Sequence, residues 1–304
     1  MRKWSGLIAL LAGFAAHAAC GDHGVALQVL GSGGPVAGDK RASSGYLVWR
    51  DGHARVLVDA GGGVFLRFGE SGAKLEDLRL IAITHLHADH VGDLMVLEKS
   101  SFFSDRTQAL PISGPSGGGD FPGLNEFLRA QFDAKNGAFR YLSGALDGGA
   151  GEVQLAPKEI PAQADAAVEV FADGDLHVDA IGVPHGPVPA LAYRVEIGGM
   201  RVVFSGDQNG SKKEFWDFAR DADLLVMAHP VPENADPVAR KLHAVPSVIG
   251  AGAANAQVKR MLLSHLMARS LDTLDANIAI MRRAYTGPID VAQDLRCYEM
   301  KKIQ

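Results

Sequence analysis

The sequence predicts an α/β (α+β) chain in which two β-sheets pack face to face with helices on their outer sides. The chain opens with short apolar strands, moves to strands alternating with helices, and repeats that progression once. Its 304 residues are 47% hydrophobic and 21% charged, which supplies one large core or two modest ones. No segment has the composition of a disordered linker, so residues 20–304 read as a single domain.

The elements follow in order. Residues 25–30, 44–49 and 55–59 read as strands between glycine-rich turns, and residues 61–69 as a short helix. An apolar strand over 80–84 precedes a helix over 94–103, a strand over 109–113, a loop over 114–123 and a helix over 126–132. Residues 144–151, rich in glycine, read as an exposed connection. Strands over 153–156, 167–171, 177–183, 190–197 and 201–205 come next. The closing portion alternates: helix 212–219, strand 224–228, helix 245–256, strand 260–264, helix 271–285 and strand 288–292.

The most informative run is Thr-His-Leu-His-Ala-Asp-His at residues 84–90, directly after a buried strand. Neutral imidazole and carboxylate suit zinc and similar divalent ions. His85 and His87 lie two apart, so one extended segment aims both at a single ion. Asp89 and His90 follow as the chain turns and reach a second. Three further polar residues stand where apolar strands open into loops: His185 after residues 180–184, Asp207 after 202–206 and His265 after 261–264. Strand ends are where a rigid scaffold holds a site.

The N-terminus has the form of a secretory signal peptide over residues 1–19. Arg2 and Lys3 precede an apolar stretch over 7–16, and Ala16-His17-Ala18 offers a small-x-small cleavage site. The stretch is too short to span a bilayer, so the mature chain is expected to be exported, to the periplasm or beyond, with no transmembrane segment. Lipid anchorage at Cys20 is a lesser reading, because His17 stands where a lipobox prefers an apolar residue. Cys20 and Cys297 are the only cysteines and could pair in an oxidising compartment. Loss of Arg2 and Lys3 moves the net charge from −5 to −7, which argues against a nucleic-acid surface.

From about Val25 onward the chain resembles the metallo-β-lactamase superfamily, metal-dependent hydrolases folded as a four-layer αββα sandwich. The resemblance implies that His85, His87 and His185 hold one divalent ion, that Asp89, His90 and His265 hold the other, and that Asp207 bridges both. Zn2+ suits such a site best, with Mn2+ or Fe2+ as alternatives. A water shared by two such ions would supply hydroxide near neutral pH, and Asp89 would orient it. The antibiotic-hydrolysing branches lack the last histidine of the motif or use a cysteine at the second ion. Here His90 is present and no cysteine lies near Asp207. Val91-Gly92-Asp93 departs from the paired glycines of glyoxalase-type members.

The ribonuclease Z and arylsulfatase-like branch is the nearest in look, through Leu30-Gly31-Ser32-Gly33, Phe204-Ser205-Gly206-Asp207 and Leu263-Ser264-His265. That branch carries a further histidine that protonates the leaving group, and His243 stands 36 residues after Asp207 and 22 before His265 where it is expected. His229 falls where the branch has a His-Glu pair, but Pro230 replaces the Glu, so Glu233 is the nearby carboxylate left to orient His243. Lys40 and Arg41 resemble the substrate loop of the branch. His23, His53 and His177 read as structural. The expectation is therefore an exported dinuclear-metal hydrolase of a phosphodiester, sulfate ester or other small-molecule ester, with no nucleic-acid partner and a homodimer compatible with the resemblance. The alternatives are a lactonase of the same fold and a non-catalytic metal-binding or sensor protein.

Overall fold

A computed structural model describes residues 20–149 and 151–301. The signal-peptide expectation over residues 1–19 lies outside the described residues. In chain order the first half comprises β1 (Val25–Gly31), β2 (Gly45–Arg50), β3 (His53–Val58), α1 (Val64–Glu70), β4 (Leu80–Ala82), α2 (Ala88–Val91), α3 (Leu94–Ser101), β5 (Leu110–Pro115), α4 (Leu124–Phe132), α5 (Gly144–Asp147) and β6 (Leu155–Ile160). The second half comprises β7 (Val168–Asp173), β8 (Leu176–His185), β9 (Val188–Ile197), β10 (Met200–Phe204), α6 (Lys213–Phe218), β11 (Leu224–Ala228), α7 (Pro237–Leu242), α8 (Pro246–Asn255), β12 (Met261–Ser264), α9 (Ala268–Leu271), α10 (Leu274–Met281), β13 (Ile289–Val291) and β14 (Cys297–Met300).

Two seven-stranded mixed sheets result, ordered β14-β1-β2-β3-β4-β5-β6 and β13-β12-β11-β10-β9-β8-β7. Each sheet is antiparallel at one end and parallel at the other. β1, β2 and β3 pair antiparallel and β3 to β6 parallel, while β7 to β10 pair antiparallel and β10 to β13 parallel. Side-chain alternation explains the layering. All seven residues of β1 are buried, Val25, Leu27 and Val29 in the cluster between the sheets, Ala26 and Leu30 in the cluster beneath the first helical layer. A strand covered on both faces reads as a continuous apolar run, which is why these strands were legible. A third cluster lies under α6, α8 and α10 on the outer face of the second sheet. The expected four-layer sandwich is the observed fold.

Some elements differ from expectation. β14 forms because its backbone pairs with the edge of β1, from Val25 opposite Met300 to Gln28 opposite Cys297; its four residues carry no strand pattern of their own. That pairing brings Cys297 to Cys20, and the two form a disulfide with Cα atoms 5.5 Å apart. A sulfur in that bond cannot also carry a lipid, so the lipid-anchor reading of Cys20 is set aside. Residues 144–151 are not wholly an exposed connection, because α5 turns Gly144 and Ala145 into the core. The expected helix over 271–285 is shorter: α10 covers Leu274–Met281, and Leu271 instead ends a separate short helix, α9, across Asp272 and Thr273. α7 did carry a signal: Asp236 accepts from the amides of Val238 and Ala239 at 2.9 and 3.0 Å, ahead of Pro237 at the first helical position.

Candidate metal centre

β4 delivers the seven-residue motif. The strand is buried, the backbone stays extended to His87, which caps α2, and Asp89 and His90 fall in the first turn of that helix. His185 is the last residue of β8, Asp207 follows β10 and His265 follows β12, so β4 of one sheet and three alternate strands of the other bring four separate segments to one edge of the sandwich. His265 has a left-handed backbone, φ 53°, that turns its ring back over the strand ends. The loop after β1 packs closely against it: a side chain at Gly34 would stand 2.8 Å from its Cε1, so only glycine fits.

The side chains converge. His87 Nδ1 lies 3.0 Å from His85 Nε2 and 3.5 Å from His185 Nε2. His265 Nε2 lies 3.1 Å from Asp89 Oδ2, and His90 Nε2 is 3.7 Å from the same oxygen. Asp207 stands between the groups, 3.8 Å from His90 Nε2, 3.9 Å from His185 Nε2 and 3.2 Å from His265 Nε2. Within 4.8 Å of one another lie the donor atoms of His85, His87 and His185, those of Asp89, His90 and His265, and those of His85, His90 and Asp207. A fourth group joins His243 to His185 and Asp207. The donor set fits divalent cations. It leaves His90 Nε2 and Asp207 Oδ1 buried without a hydrogen-bond partner, an arrangement that costs about 1–3 kcal/mol for each such atom unless a charge lies between them.

The electrostatics prepare the same chemistry. Burial, then the neighbouring imidazole of His90, holds His85 well below the usual histidine range, and burial then His185 lowers His87, so both rings are neutral ligands. Burial opposes ionisation of Asp207, but the surrounding His265, His90 and His85 outweigh it and hold the carboxyl well below the usual range. Burial likewise opposes ionisation of Asp89, and the hydrogen bond from His265 with the charge of His90 reverses it.

Residues 54–266 match the beta-lactamase superfamily domain. The chain belongs to that superfamily. Among curated relatives it is similar to a ribonuclease Z of Mycolicibacterium paratuberculosis, 31% identical over 188 residues, a match covering 60% of this chain and only 62% of that protein. It is also similar to a ribonuclease Z of Haloferax volcanii, 28% identical over 302 residues, covering 87% of this chain and 92% of the other. In fold it is similar to the short form of human tRNase Z, with TM-score 0.68, 20% identity and coverage of 91% and 99%. The metallo-beta-lactamase fold protein YhfI of Bacillus subtilis gives TM-score 0.66, 22% identity and coverage of 90% and 99%. The chain has the metallo-β-lactamase fold of those structures.

These relatives correct the expected partner. Proteins named as ribonucleases point to nucleic acid, against a small-molecule ester and against the exclusion of nucleic acid. The physical reason is that net charge averages over the whole surface. A cleft of about 620 Å³ beside Asp89 is lined by Lys40, Arg41 and Arg67, a local concentration of cations within an acidic chain.

Within this superfamily fold, several supporting residues were not legible beforehand. Asp59 is buried with a left-handed backbone at φ 59° and accepts from His90 Nδ1 at 2.8 Å and from the amide and hydroxyl of Thr84 at 2.7 and 2.9 Å. His185 Nδ1 donates to Leu242 O at 2.9 Å. Each contact occupies one ring nitrogen and leaves Nε2 for the site. The only advance signal for Asp59 was a carboxylate ending an apolar strand. His243 is buried at the site, its Nδ1 3.8 Å from Asp207 Oδ2 and its ring 5.3 Å from that of His185. Glu233 does not orient it: that carboxylate caps α8, accepting from the amide and hydroxyl of Ser247 at 2.8 and 2.7 Å. Arg41 is partly committed to the fold, donating to Ser32 Oγ at 2.7 Å and Ala292 O at 3.0 Å, while Lys40 stays exposed. His229 is buried against Asn277 at 3.2 Å, and His53 pairs with Asp77 at 3.0 Å.

Proposed function

We propose that this chain is an exported, dinuclear-metal phosphodiesterase that cleaves RNA. The convergence of two ligand triads on one shared carboxylate, Asp207, beside a cation-lined cleft carries the reading. His85, His87 and His185 would hold one ion, Asp89, His90 and His265 the other, and Asp207 both; Zn2+ suits this nitrogen-rich set. When bound, two such cations supply Lewis-acid charge to a phosphate oxygen and lower the pKa of a water. Asp89 then accepts a hydrogen bond from the attacking water and aims it at phosphorus. Lys40 holds a non-reacting phosphate oxygen, and Arg67, ion-paired to Glu70, adds positive charge to the same wall of the cleft. His243 gives its proton to the leaving oxygen as the phosphorus–oxygen bond breaks.

Burial pushes the His243 imidazole down to about 3, so in the resting site it is neutral, and an incoming phosphate anion raises it toward the protonated form. Export is supported by the charged and apolar pattern of residues 1–16 and by the Cys20–Cys297 disulfide, which persists in oxidising compartments. Among the described residues no helix is long and apolar enough to cross a membrane.

The experiment is cleavage of a labelled RNA by metal-loaded mature protein, with metal content measured on the same sample and Asp207→Ala run beside it. About two ions per chain, RNA products, and loss of both activity and metal in Asp207→Ala are the expected results. Two ions with no cleavage of any RNA would sink the substrate; one ion or none would sink the dinuclear centre.

A further inference from the structure

Next to the cation-lined cleft lies a second groove, of about 380 Å³, bordered by Phe65, Leu66, Lys74 and Phe103. Leu66 lines both, so the groove adjoins the cleft that reaches Asp89. The groove is apolar yet open to water. Phe103 at the end of α3 is 78% exposed, Leu66 62%, and Phe65 and Phe102 more than a third. A contiguous exposed apolar surface of this kind marks an interaction site.

Cations flank these rings. Lys99 Nζ sits over Phe102, 4.6 Å from its centroid, and 5.6 Å from that of Phe103, while Lys74 lines the groove itself. Among the described residues, the ion pairs of this face join Arg67 to Glu70 and Asp294, and leave Lys40, Lys74 and Lys99 out. The one carboxylate in the groove, Glu76, is turned to accept from the amide of Asp105 at 2.8 Å. Open aromatic faces beside unpaired ammonium groups match a polymer that alternates flat apolar rings with phosphates.

We propose that this groove is a stacking platform for a single-stranded stretch of the nucleic acid. Bases would lie on Phe65 and Phe103, and phosphates would pass Lys74 and Lys99 on their way to the cleft. The inference rests on the nucleic-acid reading above and adds where the strand lies. A protein partner, including a second copy of this chain, fits the lysines less well, since two copies would set like charges against each other.

The test is fluorescence anisotropy of labelled oligouridylate with metal-loaded wild type, Phe65→Ala, Phe103→Ala and Lys99→Ala. Its controls are hydrolysis of bis(p-nitrophenyl) phosphate, a substrate too small to reach the groove, and molar mass in solution. Each phenylalanine variant should bind the oligonucleotide about tenfold more weakly. Lys99→Ala should reduce the salt slope of binding by about one. Small-substrate kcat/KM should stay within about twofold, showing that the fold and the centre are intact. Wild-type binding with unchanged affinity in both phenylalanine variants overturns the platform and leaves the nucleic-acid reading standing. A fall from dimer to monomer with oligonucleotide affinity unchanged overturns it in favour of a protein interface. A wild type that neither binds oligouridylate nor cleaves RNA, while hydrolysing the small phosphodiester, removes the nucleic-acid reading and the platform with it.

Discussion

Asp59 fixes which nitrogen His90 presents: its Oδ2 accepts from His90 Nδ1 at 2.8 Å, leaving Nε2 3.8 Å from Asp207. Both residues are almost wholly buried, so water cannot replace either partner. Removing the carboxylate frees the ring to rotate. Asp59→Ala is expected to weaken metal binding about 10–100-fold, measured by competition with a chromogenic chelator. Asp59→Asn, which still accepts from the ring, should recover part of that loss. Equal affinity in Asp59→Ala and wild type would show that the ring is held by its packing alone.

His243 tests the chemistry separately from the metal. Its replacement by alanine should lower kcat on RNA about 10²–10⁴-fold while metal content stays at the wild-type level. A substrate with a good leaving group needs little protonation, so bis(p-nitrophenyl) phosphate should lose far less. Equal losses on both substrates would argue that His243 holds a metal ion instead, as its grouping with His185 and Asp207 permits.

Glu98 gives the fold a pH dependence remote from the ligand cluster. Burial pushes its carboxyl up to about 8, opposed by a hydrogen bond from Ser101 at 3.2 Å and reinforced by the charge of Glu152. The folded state therefore keeps a proton that the unfolded chain releases near 4.5. The stability is fully present below the unfolded value and is lost as pH rises toward 8, at about 1.4 kcal/mol per pH unit for one proton. Glu98→Gln should flatten that slope in urea melts at several pH values between 5 and 9, and be the more stable protein at the alkaline end. Parallel slopes in the two proteins would count against a buried neutral Glu98.

The disulfide closes a loop with a sequence separation of 277 residues, from the segment before β1 to β14. Cys20→Ser is expected to lower unfolding free energy by about 2–4 kcal/mol relative to the oxidised protein, chiefly by releasing the unfolded chain. Reduction of wild type with dithiothreitol should produce the same loss, read by urea denaturation. No change on reduction would mean that pairing of β14 with β1 suffices without the bond.

The sequence by itself determined the αββα layering, because strands buried on both faces are nearly all apolar, as residues 25–30 (apolar but for Gln28) and 80–83 are. It also determined the candidate ligands, since His85, His87, Asp89 and His90 lie within six positions and His185, Asp207 and His265 each end an apolar run. Only the tertiary structure decided what surrounds them. Asp59 and His90 are 31 residues apart and meet because β3 and β4 are parallel neighbours. β14 exists because the edge of β1 offers unpaired backbone groups, a property of the sheet and not of residues 297–300. Glu233, ahead of α7, accepts from Ser247 in the first turn of α8, which took away the carboxylate expected for His243. The partner reversed for a related reason. Net charge is a sum over the chain, whereas a phosphate responds to the few cations that folding gathers at one cleft, and Lys40, Arg41 and Arg67 line one cleft only when α1 packs beside the loop after β1.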